Sequence, residues 1–299
     1  MRRHSVSDEL TVLAHAEEIP GLGHLPVNAF VLLAEQPVLV DTGMPAVADE
    51  FLDLLWSAVD PADLRWVWLT HPDRDHTGAV LQILDAAPHA KLVTTFLGMG
   101  ILSIEHPISP ERVYLLNPGQ SLDVGDRTLT AFRPPLFDSP VTTGFVDDST
   151  GTCVSSDCFG APMSSAQLAL ADDAADVPAE DLLAAQRMWA VVDSPWVTLV
   201  DRNRYAAGLR QFPGAGSPLV LSTHLPPARD RSDELLEVLA TAPDVPPFVG
   251  PDQAALEAML TGLAPEPRAA SGEAVVAPTR PSSSGSLLPS PVASRCGRL

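Results

Sequence analysis

The chain has 299 residues, 45% of them hydrophobic, and a formal charge of −20 at pH 7. That length holds one large domain or two small ones, with ample apolar content for a packed core, and the acidic field argues against nucleic acid as a partner. No apolar run approaches the ~20 residues that span a bilayer, and no apolar signal core follows the basic start MRRHSVSDELTV, so a cytoplasmic protein without membrane contact is expected. From the N-terminus, residues 11–19 and 27–34 are apolar and strand-like, and residues 37–40 form a short buried run ending at Asp41. Pro45 is placed to open a helix at its first position, with Val47, Phe51, Leu54 and Leu55 on one face. A strand over 65–70 (RWVWLT), a helix over 77–86 and a strand over 91–95 follow. Residues 127–132 and 152–156 read as later strands, 181–192 as a helix, 218–223 as a buried strand, and 232–239 and 252–263 as late helices. The alternation makes the fold α/β.

From Pro265 the composition shifts to Pro, Ser, Ala and Gly without periodicity, so residues 265–299 are expected to be a disordered tail on a domain of residues 1–264. The tail holds four Arg and two Glu, which leaves −22 on the rest. The three cysteines, Cys153, Cys158 and Cys296, include no CxxC pair, so neither a disulfide framework nor a cysteine-rich zinc site is supported.

Four expected strands end in a residue able to bind or orient a metal: VLV before Asp41, VWLT before His71, CVSS before Asp157 and LVLST before His224. Functional residues of layered α/β folds gather in loops beyond one edge of the sheet. The densest cluster, HPDRDHTG over 71–78, offers His71, Asp73, Asp75 and His76 within six positions. An extended loop would point His71, Asp73 and Asp75 one way and His76 the other; a turn would send the two halves toward two metal ions, with Asp157 bridging. The competing reading is a solvated polar turn with Asp75 capping the next helix. Cys158, beside Asp157, reads as a small core residue. Trp66 and Trp68 also read as core; Trp189 and Trp196 could line a pocket mouth, with core packing the plainer reading.

HPDRDHTG is similar to the HxHxDH pattern of the metallo-β-lactamase superfamily. VLVDTG resembles that superfamily's first motif, and SSDCFGA and STHLPP its later Asp and His motifs. The resemblance runs from about residue 10 to residue 260 and implies an αβ/βα four-layer sandwich. Within the superfamily the chain is most similar to the oxygen-binding di-iron domain of flavodiiron proteins. The acid Asp73 at the second ligand position, the run Asp157-Cys158-Phe159-Gly160, and Asp138, Ser139 and Thr142 all match that subgroup. The resemblance implies one metal at His71, Asp73 and a middle histidine, the other at Asp75, His76 and His224, with Asp157 bridging and Asp41 supporting them. The middle histidine falls on Pro135, which cannot bind a metal. Asp138 or water would have to substitute; His24, His89 and His106 read as ordinary loop or surface histidines.

Carboxylates and imidazoles together suit one or two divalent ions, zinc or iron, with manganese possible. The leading reading is a metal-dependent hydrolase of a small ester, thioester, lactone or phosphoester, in which the metal lowers the pKa of bound water to ~7 and Asp75 orients the nucleophile. The alternatives are a di-iron oxidoreductase acting on oxygen or nitric oxide, and a binding protein with a degenerate site. No flavin is expected, because the resemblance stops short of a flavodoxin domain. The implied partners are a small-molecule substrate, a second copy of the chain in a homodimer, and a separate electron donor in the redox case alone.

Overall fold

Strand alternation sorts this chain into layers. In the computed structural model, which describes residues 1–105 and 107–263, Val12 and Ala14 of β2 (Leu10–Ile19) enter one core and Leu13 another. Phe30 and Leu32 of β3 (Gly23–Leu32) part from Ala29 and Val31 in the same way. So do Val38 and Val40 of β4 (Val38–Val40) from Leu39. A side-chain period of two with both faces apolar means a sheet covered on both sides.

The first sheet runs β1-β2-β3-β4-β5-β6-β7, adding β1 (Arg2–Ser5), β5 (Trp66–Trp68), β6 (Lys91–Thr94) and β7 (Val113–Leu115). β1 to β4 are antiparallel, whereas β4 to β7 are parallel. The second sheet runs β13-β12-β11-β10-β9-β8, from β8 (Ser121–Asp123), β9 (Thr128–Phe132), β10 (Gly144–Asp147), β11 (Cys153–Val154), β12 (Leu219–Leu221) and β13 (Ala228–Arg229). Phe30, Val40, Trp68 and Val93 meet Leu129, Phe145, Val154 and Leu221 in the core between the sheets.

Helices cover the outer faces. Phe51 and Leu55 of α1 (Ala48–Trp56) and Ile83 of α2 (Val80–Ala86) pack on Leu39, Val67 and Leu92; α3 (Phe96–Glu105) adds Leu102 to this layer. On the opposite face α4 is short (Ala166–Ala169). Leu182 of α5 (Ala179–Asp193), Leu209 of α6 (Arg202–Arg210) and Leu235 of α7 (Ser232–Ala240) share a core with Phe132, Cys153 and Val220. The order helix, sheet, sheet, helix is the expected four-layer sandwich. Met1–Val249 is one compact unit; beyond it the structure describes α8 (Gln253–Leu263) as a separate element. The tail expected from residue 265, with Cys296, and also His106, lies outside the described residues.

Some expected elements are shorter than drawn, and others were missed. The strand expected over 65–70 is three residues long, because Thr70 leaves the ladder to bond Asp41 instead. The helix expected from 77 begins at Val80, after a turn in which His76 N donates to Asp73 O. Asp75 therefore does not cap it: the residue ahead of that helix is Ala79, and it has no side-chain cap.

Candidate metal centre

The ends of β4, β5, β11 and β12 converge at one end of the sandwich. Directly after β4, Asp41 is buried with φ +57°, and after β11, Ser156 is buried with φ +54°. Non-glycine residues in this region carry about 1–3 kcal/mol of strain, held by their surroundings and concentrated at functional sites. Asp41 Oδ1 accepts from Thr70 N and Oδ2 from Thr70 Oγ1, each at 2.8 Å. Its Oδ2 also accepts from His76 Nδ1 at 2.9 Å.

The 71–78 segment is a turn, so it sorts its side chains differently from an extended loop. His71 and Asp73 go to one side, and Asp75 and His76 to the other. His71 Nε2 lies 3.3 Å from Asp157 Oδ2 and 4.0 Å from Asp73 Oδ2. On the second side, His76 Nε2 is 3.4 Å from Asp75 Oδ2 and 3.2 Å from Asp157 Oδ1. His224 Nε2 is 3.4 Å from Asp75 Oδ2 and 3.3 Å from Asp157 Oδ1. Asp157 thus presents one oxygen to each side, and Thr223 Oγ1 donates to its Oδ1 at 2.6 Å.

Each imidazole is held by its other nitrogen. Besides the bond from His76 to Asp41, His224 Nδ1 donates to Pro26 O at 2.8 Å, and His71 Nδ1 lies 3.2 Å from Ser156 Oγ. Pro26 is tolerated inside β3 because β4 pairs with that strand only from Phe30 onward. Anchored Nδ1 atoms leave the three Nε2 atoms converging on the carboxylates, the arrangement by which proteins orient metal-binding histidines. Nε2 of His71 and of His76 are buried without any hydrogen-bond partner. Buried polar atoms are ordinarily satisfied, so these two are placed for something else. Donor separations of 3.2–3.4 Å are what two atoms sharing one ion at ~2.0–2.2 Å require. The residues present therefore fit a metal.

The electrostatics agree. Burial opposes charge on His76, yet Asp75, Asp157 and Asp41 outweigh it and hold the imidazole well above its usual range. Burial likewise opposes ionisation of Asp157, and His71, His224 and His76 overcome it to keep that carboxyl well below normal. Asp193, at the end of α5, is pushed up to about 8 by burial and by Asp157 and Asp138. The pocket demands positive charge, which a cation would supply.

All six sequence-expected residues, His71, Asp73, Asp75, His76, Asp157 and His224, lie here, with Asp41 supporting them. His24 bridges to Met163 and His89 is an exposed turn residue; neither belongs to a group of metal-capable side chains. Cys158 is core, as is Trp68 between the sheets, while Trp66 is half-buried. Trp189 packs its ring 5.1 Å from that of His224 and donates to Asp157 O; Trp196 donates to Phe137 O. Sequence reasoning missed Asp193, which no motif marks, and Ser156 and Thr223, whose roles depend on contacts across the sheet.

Residues 22–143 match the family model "Metallo-beta-lactamase superfamily". Over that stretch the chain is similar to metallo-β-lactamase domains. A "Putative diflavin flavoprotein A 1" from Thermosynechococcus vestitus is 32% identical over 137 residues, 45% of this chain and 24% of that protein. An "Anaerobic nitric oxide reductase flavorubredoxin" from Salmonella typhi is 25% identical over 147 residues, 49% of this chain and 31% of that protein. The matched stretch thus spans about a quarter to a third of the length of these curated relatives. Among solved structures, the rubredoxin oxygen:oxidoreductase of Desulfovibrio gigas superposes with TM-score 0.71 at 18% identity, over 83% of this chain and 63% of that one. The four-layer sandwich accordingly shares the fold of that structure. Among the described residues, no helix is long and apolar enough to cross a membrane.

Proposed function

We propose that the chain is a binuclear metalloenzyme of the di-iron oxidoreductase type, reducing dioxygen or nitric oxide with electrons from a separate donor. The observation that carries this reading is the convergence of three Nδ1-anchored imidazoles on one carboxylate, Asp157, whose two oxygens face opposite sides. In this reading His71, Asp73 and Asp157 hold one ion, and Asp75, His76, His224 and Asp157 the other. The redox assignment draws on the relatives, which are named for oxygen and nitric oxide reduction, and on the acid Asp73 at the second ligand position. It places the hydrolase behind the oxidoreductase, reversing the order suggested by sequence alone.

A pair of iron ions would supply electrons and Lewis acidity to a small oxidant. The chain's own residues do the positioning. Asp157 fixes the spacing of the two sides, and the bonds to Asp41, Ser156 and Pro26 stop the imidazoles from rotating. Trp189 covers His224 and excludes water there. The Asp73 side chain, 55% exposed, marks the open mouth through which substrate and protons enter. We place this chemistry in the cytoplasm, in keeping with the unpaired thiols of Cys153 and Cys158.

That water-accessible mouth also supports a second reading, metal-dependent hydrolysis of a small ester, thioester, lactone or phosphoester. In it Asp75, set against both His76 and His224, would help hold a zinc ion, which would supply an activated water. The two readings separate in one experiment. Iron-loaded protein with a supplied reductant is assayed for oxygen and nitric oxide consumption, and zinc-loaded protein against a panel of those substrates. Consumption that stops in Asp157→Ala establishes the oxidoreductase; its absence, with zinc-dependent turnover of the panel, gives the hydrolase.

A further inference from the structure

Pro135 occupies the place where the resemblance implies a histidine, and it lies away from the centre. With Arg133, Pro134 and Phe137 it lines a surface groove against Tyr205 and Phe212. Three residues later the chain turns back. Thr142 N donates to Ser139 O at 3.1 Å, and Arg133 donates to Pro140 O at 2.6 Å. This turn brings Asp138 Oδ1 to 3.7 Å from His71 Nε2, and Thr142 Oγ1 donates to the same oxygen at 3.4 Å. Asp138 also groups with Asp157 and Asp193, each offering an oxygen within 4.8 Å of the others.

His71 Nε2 is the independent observation. It is buried, lacks a hydrogen-bond partner, and faces the carboxylates of Asp73, Asp138 and Asp157 together. His71, Asp73 and Asp138 offer donor atoms that all lie within 4.8 Å of one another, and one ion shared with Asp157 would draw the partly exposed Asp73 and Asp138 side chains inward.

We propose that Asp138 is a metal ligand in place of the absent histidine, so that the first position consists of one imidazole and three carboxylates. This rests on the binuclear reading above. Asp138 would add a further carboxylate to Asp73, Asp75 and Asp157 against the charge of the cations, with Asp41 bonded to His76 behind them. It also makes the two positions unlike. The second has two imidazoles and two carboxylates, a set suited to zinc or iron. The first is oxygen-rich and favours a harder ion, manganese(II) or ferrous iron, relative to zinc. The first position is therefore where manganese competes best.

The test uses the full chain, stripped with chelator and titrated anaerobically with manganese(II) or zinc(II). Bound metal is counted by elemental mass spectrometry, and manganese is followed by electron paramagnetic resonance. Wild type should bind two equivalents, with a manganese-to-zinc affinity ratio at least about tenfold higher at one position. Asp138→Ala should weaken that position's manganese affinity by about 100-fold or more, beyond what loss of a supporting residue causes, and leave the other equivalent intact. Asp75→Ala should do the reverse. If Asp138→Ala is not folded by circular dichroism, Asp138→Asn decides, with at least about tenfold weakening expected. Two equivalents at wild-type affinity in the folded Asp138 variant, or identical metal preference at both positions, overturns the proposal while the binuclear reading stands. A wild-type chain that takes up no metal removes both.

Discussion

His76 Nδ1 donates to Asp41 Oδ2 at 2.9 Å, with both side chains buried. That bond fixes the imidazole plane and the proton on Nδ1, leaving Nε2 free to face Asp75 and Asp157. Asparagine tolerates the left-handed φ that Asp41 adopts but brings no charge to hold the imidazole. Asp41→Asn should therefore weaken metal binding about 10- to 100-fold, with the larger loss on the Asp75–His76–His224 side. Metal titration of the variant checks this; unchanged affinity would mean that packing alone orients His76.

Gly78 lies where the 71–78 turn meets the loop after β4. A Cβ there would stand 2.3 Å from Met44 C, 2.4 Å from Gly43 O and 2.4 Å from Pro45 N, all backbone. It would pry apart two segments joined by Thr42 N to His76 O and Gly78 N to Gly43 O, both at 2.8 Å. Gly78→Ala should cost about 1–3 kcal/mol or more in denaturant unfolding and weaken metal binding through His76. Gly100→Ala in α3 is the control: its Cβ meets nothing within 4 Å, so it should be neutral or stabilising by up to about 1 kcal/mol. Equal behaviour of the two variants would contradict the close-approach account.

The long strands and the strand-end candidate site residues were legible in the sequence because their signals are local. Val12, Leu13 and Ala14 alternate between two apolar environments, and Asp41, His71, Asp157 and His224 each follow an apolar run. What was missed depends on tertiary contact. β1, RRHS, has no apolar pattern and is a strand because β2 offers it an edge. α3 exposes Phe96, Leu97, Ile101 and Ile104, so its apolar residues do not mark an inward face. β7, β8, β10 and β13 are two to four residues long and set by their neighbours' register. The facing of Asp75 away from His71 follows from the bond of His76 N to Asp73 O, which no residue pattern announces.

Asp126 makes a pH prediction away from the metal centre. Hydrogen bonds from Arg127, and then from the backbone of Glu35, hold its carboxyl down to about 2. A depressed folded-state value stabilises the fold above the ordinary aspartate range, ~3.9, and that contribution is lost as pH falls through about 2. Stability curves of wild type and Asp126→Asn should lie apart above pH ~4 and converge below it, by a small amount because the group is exposed. Curves that stay parallel through the acid range would show that Arg127 is held by Asp147 and Glu9 without help from Asp126.

Metal removal should be visible in stability as well as in activity. Without an ion, Asp157, Asp75 and Asp41 are balanced by His76 and its neighbours, and Asp193 adds a carboxyl that burial keeps close to neutral. An ion that binds the folded chain alone stabilises it by about 2.7 kcal/mol at a hundredfold excess over Kd, a shift of a few degrees for a domain of this size. Asp157→Asn keeps the side chain's shape but gives up the charge that both sides share, so added manganese or zinc should no longer raise its Tm. A variant that still responds to metal as wild type does would show that the two sides bind independently of Asp157, and the bridging role would have to be given up.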